Sequence, residues 1–154
     1  MVERQGIKKK GVVMVFGVFD GLHKGHESFL RQARRWGSEL IAVVARDAAV
    51  RELKKKRPRL SEKERARALG ASRMADRVVL GDKEQGIYLV AKRYKPAIIC
   101  IGYDQDALAE DLRRRMRKGY LPAMRLIRLR PHRPYMFRSS LLYGIKNSTI
   151  RPRD

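Results

Sequence analysis

Five short apolar runs recur along the chain with amphipathic stretches between them, and this alternation limits the fold more than any other feature. The runs are GVVMVFG (11–17), LIAVVA (40–45), RVVL (77–80), AIICIG (97–102) and AMRLIRL (123–129). The middle ones are apolar on both faces, as strands covered by helices on both sides are. Segments 25–36, 61–70, 86–94 and 106–118 read as helices, and Ser61 with Glu64 forms a capping-box pair at the start of the second. Pro58 and Pro96 fall just outside helical segments, where a missing N–H does no harm. Strand–helix alternation on short connections predicts an α/β fold: a Rossmann-like, doubly wound, five-stranded parallel sheet with helices on both faces. A length of 154 residues predicts a single domain. We place that domain at 11–143, with a basic N-terminal extension at 1–10 and a basic C-terminal tail at 144–154.

Charge narrows the partners. Lys and Arg number 37 against 16 Asp and Glu, a net of +21, and the 44 residues from Asp111 hold 13 basic and two acidic side chains. Such a field attracts phosphorylated ligands and nucleic acid alike. One reading of a separate class is therefore an RNA- or ribosome-associated protein on the same fold, with Tyr120, Tyr135 and Phe137 among arginines as stacking residues. No apolar run approaches the ~18 residues a membrane span needs, so no membrane partner is expected. The basic start before GVVMVFG has the outline of a leader peptide, but the seven-residue run closes on Gly-Val-Phe-Asp and reads as a strand. The single Cys100 cannot form an intramolecular disulfide, which predicts a reducing, cytoplasmic setting.

Open α/β sheets bind ligands at the carboxyl ends of their strands. The first run ends there in GVFDGLHKGH (17–26), which holds two of the three histidines of the chain. Gly17 has no Cβ to keep backbone and ligand apart, and a helix starts near Gly25 with its free amides pointing at the same spot. His23 and His26 bracket Gly25, whose missing side chain leaves the space open. Two imidazoles at a helix N-terminus make a donor-rich pocket suited to phosphate oxygens. A metal site is the competing reading, but neither a cysteine nor a third nearby histidine completes a zinc set.

The stretch GVFDGLHKGH resembles the His-x-Gly-His signature of the nucleotidylyltransferase superfamily. With IAVVARD (41–47), KKKRPRLSEKERARAL (54–69) and IGYDQD (101–106) in that order, the chain looks most like the archaeal type of FAD synthase, which is related to glycerol-3-phosphate cytidylyltransferase. The resemblance covers about residues 11–143. It implies transfer of AMP from ATP to FMN, giving FAD and pyrophosphate by direct in-line attack, with Mg²⁺ or another divalent cation bound mainly through the phosphates. The alternative within the superfamily is cytidylyl transfer from CTP to a phosphorylated alcohol such as glycerol 3-phosphate. Relatives are often homodimers, and the resemblance implies a homodimer here.

The resemblance also assigns residues. It puts His23 and His26 on the triphosphate, with Lys54 as the phosphate-binding lysine of the basic run; a solvated face is the plainer reading of that run. Gly17, Val18, Phe19 and Gly25 carry backbone close to the nucleotide, and Val18 stands where many relatives have a hydroxyl or amide side chain. Asp20 either fixes the turn or helps hold Mg²⁺. Asp47, Gly102, Tyr103, Asp104 and Gln105 flank the pocket. There carboxylates accept from ribose or base and Tyr103 stacks on a ring, while a helix N-cap is the other reading of Asp47. Arg138, Ser139 and Ser140 match a late motif that grips phosphates or caps a last helix. Lys55, Lys56 and Arg65 are assigned to the acceptor phosphate, with a pair to Glu62 or Asp76 as the alternative for Arg65.

Overall fold

Branched aliphatic side chains crowd a helix but pack well on a pleated surface. In the computed structural model, which describes residues 11–132, each of the five apolar runs is a strand. They are β1 (Val12–Gly17), β2 (Glu39–Val44), β3 (Arg77–Leu80), β4 (Ile98–Ile101) and β5 (Arg125–Arg128). All neighbours pair in parallel, in the order β3-β2-β1-β4-β5. The order reverses between β1 and β4, so the expected doubly wound α/β fold is the one observed. Pairing of β1 with β2 runs from Val12↔Glu39 to Gly17↔Val44. Pairing of β1 with β4 is confined to Val13↔Ile98 and Met14↔Ile99, although β1 continues to Gly17 and β4 to Ile101.

The helices are α1 (Lys24–Arg34), α2 (Asp47–Lys54), α3 (Glu62–Ser72), α4 (Leu89–Tyr94) and α5 (Asp106–Arg117). Alternate strand residues point to opposite faces. Val13, Val15, Leu40, Ala42, Val44 and Cys100 pack with Leu30 and Ala33 of α1 and Leu69 of α3. Met14, Ile41, Val43, Ile99 and Ile101 pack on the other face with Ala91 of α4 and Ala109 and Leu112 of α5. Each fully buried Val, Leu, Ile or Met among them stabilises by about 1.5–3 kcal/mol. With Val13, Met14 and Val15 at most 1% exposed, β1 is a firmly packed element on which to mount a site. Burial pushes the Cys100 thiol up to about 12, which leaves it an unreactive core residue. Among the described residues no helix is long and apolar enough to cross a membrane.

Two expectations are corrected. The charge of RELKKKRPR (51–59) predicts an exposed loop, but residues 51–54 complete α2. That helix has Asp47 in its first turn, Arg51 and Lys54 in its last and Val50 as its buried residue, a charge order that suits the helix dipole. The segment read as helical from residue 86 starts only at Leu89. Gly86 (φ 82°) and Tyr88 (φ 53°) are left-handed, and Asp82 accepts from the Leu89 and Val90 amides to open the helix there. The start of α3 is as expected: Ser61 accepts from the Glu64 amide at 3.1 Å, and Glu64 accepts from the Ser61 amide at 2.9 Å. Residues 1–10 and 133–154 lie outside the described residues, and with them Tyr135, Phe137, Arg138, Ser139, Ser140 and the boundary at 143.

Candidate active site

At the carboxyl end of β1 the chain turns through Phe19, which has φ 54° and is 3% exposed. Its ring folds back over Gly17, where a Cβ would stand 2.7 Å from Phe19 Cε2. Gly17 is thus required by the protein's own aromatic ring, a reason the sequence reading did not contain. Asp20 then accepts from the backbone amides of Arg59 at 2.8 Å and Leu60 at 3.0 Å, one on each carboxylate oxygen. Desolvation works to raise its pKa but is outweighed by those amides and by the charges of Arg59 and Arg65, which hold the carboxyl below its ordinary value. Of the two readings of Asp20, turn fixing is the one these two hydrogen bonds describe.

His23 is the N-cap of α1, its Nδ1 accepting from the Gly25 amide at 3.0 Å. His26 answers from one turn on, its Nδ1 accepting from the His23 amide at 3.2 Å. The rings stack with centroids 3.9 Å apart and planes 25° from parallel. A neutral imidazole that accepts through Nδ1 carries its proton on Nε2. The hydrogen-bond network therefore assigns both rings as Nε2–H donors, beside the free amides of the helix N-terminus. Gly25 is the spacer, since a Cβ there would lie 2.9 Å from His23 Cε1. Gly25→Ala should displace the His23 ring and cost about 1 kcal/mol of cap energy, seen as a lower melting temperature alongside weaker phosphate binding.

His26 is half-buried against the Phe19 ring, 5.4 Å away. Burial first, then the charges of His23 and Lys54, push its pKa down to about 4. At neutral pH it is an uncharged donor. The unfolded chain, with its histidine near 6.5, binds more protons than the folded one between these two values. The resulting contribution is fully present above 6.5 and is lost as pH falls towards 4. Thermal melts from pH 4 to 8 should show this loss, and a His26→Gln variant should show a flatter profile.

Lys54 ends α2, exposed, with its charge felt at His26. Lys55, at φ 59°, and Lys56 follow, both exposed. Arg65 departs from expectation. It is 0% exposed and faces inward, where no acceptor phosphate reaches it. Its Nε donates to Leu60 O at 3.0 Å, Nη1 to Val18 O and Ala45 O at 2.9 Å each, and Nη2 to Asp47 Oδ1 at 2.6 Å. Neither expected pair forms, since Glu62 binds Arg46 and Asp76 binds Arg34. Asp47 is likewise not an N-cap; Arg46 holds that position, and Asp47 follows it beside the pocket with its side chain 29% exposed. The Asp47 amide donates to Glu62 Oε1 at 2.8 Å, a further tie between α2 and α3.

Across the switch point, Gly102 is buried, Tyr103 half-buried and Asp104 exposed. The Gln105 carboxamide joins this loop to β1: Oε1 accepts from Gly102 N at 2.8 Å, and Nε2 donates to Phe16 O at 2.8 Å. The structure thus gathers Gly17–Asp20, His23, Gly25, His26, Lys54 and Asp47 around the ends of β1 and β2. Gly102–Gln105 face them from the end of β4. No group of three or more His, Cys, Asp or Glu side chains among the described residues could hold a metal ion.

A parallel sheet whose order reverses beside a helix N-terminus carrying two imidazole donors defines a nucleotide-binding α/β protein. More particularly, the chain belongs to the cytidylyltransferase-like family of nucleotidyltransferases, whose model matches residues 14–151. It is 40% identical to the FAD synthase of Thermococcus sibiricus over 134 residues, 87% of each chain. It is also 40% identical to the FAD synthase of Methanosarcina barkeri over 111 residues, 72% of this chain and 78% of that one. Among solved structures, the lipopolysaccharide core biosynthesis protein from Thermoplasma volcanium has a TM-score of 0.71 at 32% identity, covering 79% of this chain and 97% of its own. Pantothenate synthetase from Thermus thermophilus, at 17% identity and a TM-score of 0.51, covers 82% of this chain and 58% of its own and shares the fold alone.

Proposed function

We propose that the chain is an FMN adenylyltransferase, joining AMP from ATP to FMN with release of pyrophosphate. The observation that carries this reading is the reciprocal His23–His26 cap, which leaves two Nε2–H donors at the start of α1. The choice of ATP and FMN rests on similarity to FAD synthases over most of the chain. An FMN phosphate oxygen attacks the α-phosphorus in line, and the bond to the β-phosphate's bridging oxygen breaks as pyrophosphate leaves. No side chain becomes covalently attached, so the protein's work is positioning and charge stabilisation. His23, His26 and the α1 amides take the triphosphate, and Lys54 adds a positive charge from α2. A divalent cation comes bound mainly through the nucleotide's phosphates, as in the family this chain resembles.

Two parallel reactions test this. One contains protein, FMN, ATP and Mg²⁺; the other contains protein, CTP, glycerol 3-phosphate and Mg²⁺. Chromatography should find FAD and pyrophosphate in the first and no new nucleotide in the second. The reverse pattern would replace both nucleotide and acceptor while keeping the reaction type.

A further inference from the structure

Registered pairing between β1 and β4 stops at Met14↔Ile99, yet both strands run on towards the site. Beyond that point Phe16 O and Gly102 N need partners, and a polar group left unpaired in a half-buried crevice is costly. One side chain serves both. Gln105, the N-cap residue of α5, turns its carboxamide back between the strands, accepting from Gly102 N and donating to Phe16 O, each at 2.8 Å. A carboxamide presents the same donor and acceptor as a peptide unit. Gln105 therefore stands where a strand's peptide would, inserted in a sheet that has parted. The fit is close: a Cβ on Gly102 would lie 3.2 Å from Gln105 Oε1 and 3.4 Å from Phe29 Cε1. Arg128 steadies the same loop, donating to Gly102 O at 3.3 Å while bound to Asp106 at 2.8 Å.

We infer that Gln105 is a positioning residue that sets the distance between the histidine loop after β1 and the Gly102–Asp104 loop after β4. It acts through Phe16 and Gly102 and touches no reacting atom. The inference rests on the adenylyl-transfer reading, in which a nucleotide lies across both loops with its phosphates on the β1 side. A ligand that spans the crevice feels its width. A ligand that uses only the histidine side does not.

Gln105→Met keeps the length of the side chain and removes both hydrogen bonds. Binding of ATP and of pyrophosphate to this variant should be compared by calorimetry, together with steady-state kinetics for ATP and FMN. The expected result is a loss of about 10- to 100-fold in kcat/KM for ATP, the scale of an ångström-level misplacement, with pyrophosphate affinity within about twofold of the parent. Gln105→Glu, which keeps the acceptor for Gly102 N and loses the donor to Phe16 O, should show the same split if the first variant folds poorly. Unchanged ATP and pyrophosphate binding in a folded variant would overturn the inference. So would an equal loss of both, which marks general damage to the sheet. Failure of the unsubstituted chain to bind ATP or form FAD would overturn the adenylyl-transfer reading, and this inference with it.

Discussion

Replacing His26 by alanine should lower kcat for FAD formation about a hundred- to a thousandfold, a barrier increase of about 2.7–4 kcal/mol, the scale set by losing one preorganised donor to developing charge. His26 has two tasks. Its Nδ1 secures the His23 amide, which leaves Nε2–H as its donor. Alanine removes both, so a fall in rate alone would not separate a lost donor from a frayed helix start. His26→Glu separates them. Glutamate at this helix position can reach back to the N-cap amide as in an ordinary capping box and carries no donor of its own. Its melting temperature should therefore recover towards that of the parent while its rate stays no higher than that of the alanine variant. If the alanine variant kept more than about a tenth of the parental rate, far less than one donor is worth, the donor role would be untenable. His23→Ala should behave alike, because the stacked rings hold each other in place.

Arg65→Met should cost about 3–5 kcal/mol of stability, the range for breaking a buried charge pair by deleting one partner. For a chain of this size that is a drop of about 10 °C or more in melting temperature. Deletion strands the carbonyls of Val18, Ala45 and Leu60 together with the Asp47 carboxylate. Lysine should not rescue it, since an ammonium lacks the planar fork that meets these groups at once. Pairing the change with Asp47→Asn should recover part of the loss, because the unpaired carboxylate is then gone. Urea unfolding of the single and double variants measures this. A single-variant cost below about 1 kcal/mol, the level of a surface pair, would show that the guanidinium contributes little.

The strands were legible as short apolar, β-branched runs, and the middle ones are apolar on both faces. All five lie within two residues of the runs read from the sequence. The last turn of α2 was hidden because Arg51 to Arg59 is dominated by charge, and only Val50 within α2 is buried. The late start of α4 depends on left-handed Tyr88, a residue type that does not announce that conformation. At the site, GVFDGLHKGH pointed to the correct seam between strand and helix. It could not show that the histidines cap each other, because histidine is not an ordinary capping residue. Arg65 was misread for a deeper reason. Its burial is decided by carbonyls 20 and 47 residues away, and no local pattern distinguishes it from the exposed arginines around it.

The topology also divides the pocket by origin. The donors beside β1, the Asp20 anchor and the Arg65 brace all come from residues 17–65, whereas the opposing wall is built from residues 102–105. The first group braces itself through its own hydrogen bonds, and the Gln105 carboxamide ties the second to it. Substitutions in the later wall can therefore accumulate without loosening the earlier one. A lineage built on this plan can exchange the molecule it recognises while inheriting its handling of phosphate unchanged.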